Sequence, residues 1–277
     1  MTIGWQADWA FQPYRSNFFI ALSLCIRHCD GICTIKASFF YKKLYKERGY
    51  DALYGSLKDS RKGKRCFIIG NGPSLKVEDL EKLIGEDCLA VNEIHRIFPK
   101  TKWRPLICTF ADRYTKSTPE EIRDLDCKYV FLGDYYWRYN KVLRDDAICY
   151  HEYMAFSTKE YAFSNDISKY MVIAPTVSYC SMQIAAYMGY SEVYLLGFDH
   201  SYSFEFDKNG KVIKTGNKST HFFKDAKAED IIGNVWGMTK AYETFKRYAD
   251  EHGITVKNAT RGGKLEIFER VDFDTLL

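Results

Sequence analysis

The sequence predicts an α/β fold built on a mostly parallel sheet with helices on both faces, preceded by a helical N-terminal appendage. Three observations carry this. From Arg65 onward, short apolar runs alternate with amphipathic segments, which is the pattern of strands buried on both faces and crossed over by helices. The first of these runs ends in a glycine-rich turn, Gly70-Asn71-Gly72-Pro73-Ser74-Leu75. A hydrophobic content of 46% over 277 residues is enough for a sizeable core. Together they describe a Rossmann-like domain spanning 63–277, set apart from a basic, aromatic region at 1–62.

Taken in order, residues 1–60 place apolar side chains at near-helical spacing from Trp9 to Leu44 and read as helices outside the main sheet. Cys66-Phe67-Ile68-Ile69 is the first strand, Val77 to Ile84 a helix and Cys88-Leu89-Ala90-Val91 the second strand. Pro105 to Phe110 and Tyr129 to Leu132 are strand-like, with a helix from Pro119 to Leu125 between them. Residues 134–171 have weak periodicity and read as an irregular insertion or lid. Thr176 to Met188 is a helix closed by Gly189, followed at once by the strand Glu192 to Gly197. A polar loop from Asp199 to His221 carries the turn signal Asp207-Lys208-Asn209-Gly210-Lys211. A helix from about Asp230 to His252 and the strand Thr255 to Asn258 complete the last unit. In open sheets of this kind ligands bind beyond the carboxyl ends of the strands.

Charge bounds the partners. Lys and Arg number 40 against 36 Asp and Glu, so nucleic acid is not demanded. The excess is concentrated between Arg15 and Arg65, notably at Lys42, Lys43, Lys46, Arg48 and the run Arg61-Lys62-Gly63-Lys64-Arg65, a patch suited to peripheral contact with a membrane or a partner. The aromatic N-terminal helices also offer a surface to a second copy. The nine cysteines suggest reduced thiols and a cytoplasmic setting. Cys25, Cys29 and Cys33, with His28 nearby, reproduce neither a zinc nor a common iron–sulfur spacing, so no metal centre is expected. The longest apolar stretch, Phe18 to Ile26, is too short to span a bilayer.

The glycine turn is the strongest local feature. Gly70 and Gly72 let the backbone approach a ligand, Pro73 stiffens the bend, and Ser74 is placed to cap the next helix, turning its amides toward an anion. The turn lacks the third glycine of the dinucleotide fingerprint and the Gly-Lys-Ser/Thr of the P-loop. A purely structural turn is the alternative.

Phe67-Ile68-Ile69-Gly70-Asn71-Gly72-Pro73-Ser74-Leu75 resembles the opening motif of bacterial sialyltransferases that use CMP-activated sialic acid. It also resembles that of the wider 6-hydroxymethylpterin pyrophosphokinase (MptE-like) family, which includes motility accessory factor glycosyltransferases. Ala90-Val91-Asn92, Thr176 to Gly189, Ser191 to Asp199 and His221-Phe222-Phe223 match in the same order. The resemblance implies that Gly70, Asn71, Gly72 and Ser74 hold the nucleotide phosphate and ribose. It places Asn92 on the base or ribose, Asp112 on a sugar hydroxyl or as a cap of the next helix, Asp199 in the same cleft and Tyr202 toward the leaving phosphate, with Thr176 and Ser178 opening the helix that follows Pro175. His221 is the first candidate for general base and His200 the second. Sialyltransferases carry His-Tyr-x-x-His here with the second histidine as base; this chain has Asp225 at that place, which makes Asp225 the competing candidate. Arg261, in Asn258 to Leu265, is a candidate for binding an acidic sugar or phosphate.

The leading expectation is a metal-independent glycosyltransferase that needs no cofactor. Its substrate is a nucleotide-activated, CMP-linked sugar, passed to a glycan or lipid-linked acceptor in surface-polysaccharide or glycoconjugate assembly. The alternatives are a pyrophosphokinase acting on a pterin-like alcohol, with Mg²⁺ held by Asp112 and Asp199, and a catalytically silent nucleotide-binding subunit.

Overall fold

The computed structural model describes residues 42–111, 117–134, 144, 146–154, 161–206, 211–216, 220–223 and 232–277. Cys25, Cys29, Cys33, His28, Asp112 and Asp225 lie outside the described residues, as does most of the predicted turn at 207–211.

In chain order the elements are α1 (Tyr50–Leu57), β1 (Arg65–Ile69), α2 (Val77–Lys82), β2 (Cys88–Val91), a 3-10 stretch (Asn92–Lys100), β3 (Ile107–Phe110), α3 (Pro119–Arg123), β4 (Tyr129–Gly133), β5 (Ile148–Tyr150), β6 (Glu152–Met154) and β7 (Met171–Ile173). They continue with α4 (Ser178–Tyr187), β8 (Glu192–Leu196), β9 (Phe204–Phe206), β10 (Val212–Lys214), β11 (Ile232–Gly233), α5 (Val235–Glu251), β12 (Thr255–Asn258), β13 (Glu269–Arg270) and a short 3-10 turn (Phe273–Thr275). Eight strands form one sheet in the order β13-β12-β8-β1-β2-β3-β4-β5, and every pairing in it is parallel. This is the expected Rossmann-like α/β architecture.

The two-residue period of a strand sends alternate side chains to opposite faces, and here both faces are covered. Cys66 and Ile68 of β1 join a core formed with α1, α4 and α5. Phe67 and Ile69 face α2, the 3-10 stretch, α3 and Phe273 on the other side. The α3 helix is short but well begun: Pro119 opens it, and Thr118 and Glu121 form a reciprocal capping box. Nine of the ten residues of α4 are buried, as expected of a helix without a polar face. Gln183 is buried within it, and its amide is fully used. Nε2 donates to Val172 O and Tyr179 O, while Oε1 accepts from Ser164 N and Val172 N. These bonds fix β7 against α4 and thereby the wall of the cleft described below.

Several expectations need correction. The segment 134–171 is not simply an irregular insertion: β5 extends the main sheet at its edge, and β6 pairs with β7 in a separate two-stranded parallel ribbon. At the end of the N-terminal region α1 stays outside the sheet and packs on its face, with Tyr50 Oη donating to Ala147 O at 2.9 Å and Tyr54 packed on Phe131 and Tyr187. The final helix starts at Val235 rather than Asp230, because Asn234 caps it by accepting from Gly237 N at 3.0 Å. We expect Asn234→Ala to cost about 1 kcal/mol, measurable as a lowered midpoint in urea. The basic run is partly neutralised: Arg61 pairs with Asp87 at 2.8 Å and Arg65 with Glu86 at 2.7 Å. No helix among the described residues is long and apolar enough to cross a membrane.

Candidate functional site

The chain runs outward from β1 through β2, β3, β4 and β5, then returns to place β8 on the other side of β1. The order therefore reverses between β1 and β8, which is where a doubly wound sheet opens a crevice for ligands. A cleft of about 570 Å³ lies there, at the carboxyl ends of the strands, and Gly70, Asn71, Gly72, Asn92, Thr176, Ser178, Asp199, His200, Tyr202 and His221 all line it. Ten of the residues singled out from sequence thus converge on one cavity of ordinary ligand-binding size.

Pro73 and Ser74 do not line it, and the role expected of Ser74 is corrected. The N-cap of α2 is Lys76, with no side-chain cap, whereas Ser74 Oγ donates to Asp199 Oδ2 at 2.7 Å and Ser74 N to Asp199 Oδ1 at 3.2 Å. The glycines serve the same junction. Gly72 N donates to Gly197 O at 2.9 Å and Gly70 N to Leu196 O at 2.8 Å. A Cβ on Gly70 would stand 2.5 Å from Gly197 O; one on Gly72 would overlap the Asp199 carboxylate and lie 2.6 Å from Gly197 O. The turn is tight because the exits of β1 and β8 are clasped together, and the amides of Gly70, Gly72 and Ser74 are spent in that clasp.

Positive polarity comes from elsewhere. Thr176, Val177 and Ser178, at the start of α4, and Gly233 and Asn234, at the start of α5, all line the cleft. The two helix ends meet: a Cβ on Gly237 would be 2.8 Å from Pro175 Cγ. The first amides of a helix lack intrahelical acceptors and carry the positive end of its dipole. Two such ends therefore face one cavity.

The same cleft also offers acceptors. Asn71 Nδ2 donates to Val91 O at 3.1 Å, leaving its Oδ1 buried without a partner, and Asn92 Oδ1 and Thr220 Oγ1 are in the same condition. Asn92 holds a positive φ of 45°, a conformation asparagine tolerates better than most residues. Buried polar atoms left unsatisfied in a cleft are suited to a ligand's donors.

The titratable groups differ in state. Burial raises the Asp199 carboxyl above its ordinary range, against the lowering effect of the Ser74 bonds. Burial, helped by nearby Lys264, pushes the His200 imidazole down to about 4. Thr239 Oγ1 gives its single proton to Val235 O at 2.8 Å, so His200 Nε2 must be the donor in their 2.9 Å bond. A neutral histidine spent on a threonine and titrating near 4 is a poor proton acceptor at neutral pH. Tyr202 donates to Met238 Sδ at 3.4 Å, and burial keeps its phenol protonated. His221 stacks on Phe223, with ring centroids 5.0 Å apart and planes at 15°. Arg261 is corrected: it lies outside the cleft, where its guanidinium binds Asp79 and Asp274 and covers Phe273. The turn beyond it does come close, with Lys264 N donating to Asp199 O at 2.8 Å.

Glu93, Thr220, Gly233, Asn234, Met238 and Tyr242 were not singled out from sequence yet line the cleft. Asn234 left one legible signal, an asparagine directly before the helical run Val235-Trp236-Gly237-Met238.

The family model described as 6-hydroxymethylpterin diphosphokinase MptE-like matches residues 40–205. The chain belongs to the MptE-like family. The match takes in the glycine turn, Asn92, the start of α4 and Asp199 of this MptE-like chain, and ends before His221. Among solved structures, the MptE-like chain is similar to the sialyltransferase CstII from Campylobacter jejuni in complex with a substrate analogue, cytidine-5'-monophosphate. The two are 17% identical over 76% of this chain and 85% of that one, with a TM-score of 0.35. Comparison with curated proteins gives no match.

Proposed function

We propose that this chain is a transferase acting on a nucleotide-activated sugar, a CMP-linked donor, and that it passes the sugar to a hydroxyl of a glycan or lipid-linked acceptor. One observation carries the reading: a single cleft pairs two helix N-termini with the buried acceptors Asn71 Oδ1 and Asn92 Oδ1. A ligand that satisfies both ends is anionic at one part and donates hydrogen bonds at another. A nucleoside monophosphate ester has that form, its phosphate suiting the starts of α4 and α5 and its ribose hydroxyls and base amine suiting the asparagines.

In the reaction, the bond between the anomeric carbon and the phosphate oxygen breaks and the nucleotide departs with the electron pair. The developing negative charge is stabilised by the amides at Thr176 to Ser178 and at Asn234. The acceptor oxygen attacks as its proton passes to His221, which lines the same cleft.

The family's namesake reaction, diphosphoryl transfer, would bring Mg²⁺ between carboxylates and phosphates. Of the two carboxylates expected to hold it, Asp112 lies outside the described residues. Asp199 is bound by Ser74, and Glu93, the other carboxylate of the cleft, is bound by Arg96 at 3.0 Å.

Thermal denaturation with CMP, CDP, UDP, GDP, ADP and ATP, each with and without Mg²⁺, tests the reading, since a ligand of the folded state raises its midpoint. We expect CMP to raise it without metal, and His221→Ala to retain that shift while lowering the transfer rate about 100-fold or more. A response confined to Mg²⁺ and ATP would replace the proposal with pyrophosphoryl transfer. Silence toward every nucleotide would replace it with a non-catalytic role.

A further inference from the structure

Arg96 has no place in the cleft wall, yet it is connected to the candidate base through two aromatic contacts. Its Nε donates to Glu93 Oε2 at 3.0 Å, which anchors the guanidinium to a buried residue of the cleft. The guanidinium carbon lies 5.1 Å from the centroid of the Phe223 ring, within the range of a cation–π contact. Phe223 in turn stacks on His221 at 5.0 Å and 15°, and Phe222 meets Phe223 edge-on at 5.0 Å and 87°. The main chain of this segment is held separately, by Phe222 N donating to Asn71 O at 2.9 Å. The backbone bond fixes where the segment lies, and the Phe223 ring lies against a face of the His221 imidazole.

We infer that Arg96 is a positioning residue, which sets the plane of the His221 imidazole by holding Phe223. The inference rests on the reading of His221 as general base for its catalytic consequence, although the placement of the ring can be judged without any activity. Nothing about Arg96 in the sequence announces this. Glu93 and Arg96 stand three apart and would pass for an ordinary surface ion pair.

The test joins a spectroscopic measurement to a kinetic one. The C2 proton of His221, assigned by its loss in His221→Asn, should resonate upfield under the ring current of Phe223. Arg96→Gln should move that signal toward the position of an exposed histidine, and Arg96→Lys, which keeps a cation, should leave it near the wild type. With CMP-activated sialic acid as the probe donor, Arg96→Gln should lower kcat about 2- to 30-fold, the range a cation–π contact supports. The CMP-induced shift in midpoint should be retained. Adding Phe223→Leu should bring little further loss, since both changes cut the same connection. An unmoved His221 signal in Arg96→Gln overturns the inference, as does a loss that multiplies fully with Phe223→Leu. If the wild type turns over no donor while the His221 signal still moves, the positioning stands and the transfer reading falls.

Discussion

Gly72→Val is expected to destabilise the whole protein by about 3–5 kcal/mol, a figure that combines overpacking at a closed junction with loss of charge-assisted hydrogen bonds. The added side chain would be driven into the Asp199 carboxylate and toward Gly197 O. Backbone cannot yield there without breaking the 2.9 Å bond from Gly72 N to Gly197 O. The carboxylate can swing aside only by abandoning Ser74. Domains are stable by about 5–15 kcal/mol, so a large share of the folded population is at stake. Guanidinium unfolding of the purified variant measures it. A variant as stable as the wild type that has lost CMP binding would mean that the glycine serves a phosphate after all.

Acid should weaken the fold through His200. Its imidazole titrates near 6.5 when exposed and at about 4 when folded, chiefly because it is buried and secondly because Lys264 is near. The unfolded chain therefore binds the extra proton first. Stability is fully present above about pH 6.5 and is lost as the pH falls toward 4, by roughly 3 kcal/mol for a shift of this size. His95, lowered by burial, acts in the same direction. Asp199, raised by burial, acts in the opposite one at the acid end, since a raised carboxyl favours folding as it becomes protonated. His200→Asn isolates the effect, because asparagine accepts the positive φ of 51° found at this position. The difference in urea midpoint between pH 7 and pH 4.5 should be markedly smaller in His200→Asn. An equal difference in both proteins would show that His200 already titrates normally.

The strands at the centre of the sheet were legible because each is an uninterrupted apolar run. Cys66 to Ile69, Cys88 to Val91 and Val193 to Leu196 bury both faces, and no competing pattern obscures them. The edges were not legible. β5 has three residues, too few to show a period, and β13 is Glu269-Arg270, both exposed, with no apolar signal. The site divides in a similar way. Its glycines, asparagines and Asp199 stood out by residue type, but a glycine in sequence does not say what it approaches, and here the neighbour is the exit of another strand. The helix starts at Thr176 and Asn234 meet only through the packing of Gly237 on Pro175, a contact that spacing along the chain cannot express. Arg96 was hidden for the same reason.

The clasp between Ser74 and Asp199 joins residues 125 positions apart, and this has a consequence for the order of events at the ribosome. As the chain emerges, β1 to β5 can assemble first, but β1 then remains an open edge, its hydrogen-bonding groups waiting for a strand not yet synthesised. An unpaired apolar edge invites contact with other chains. The crevice between β1 and β8 has only one bank until β8 arrives, so a nascent or truncated chain ending before Glu192 should be unable to hold a ligand there. Chaperone demand should peak in the interval before β8 closes the sheet.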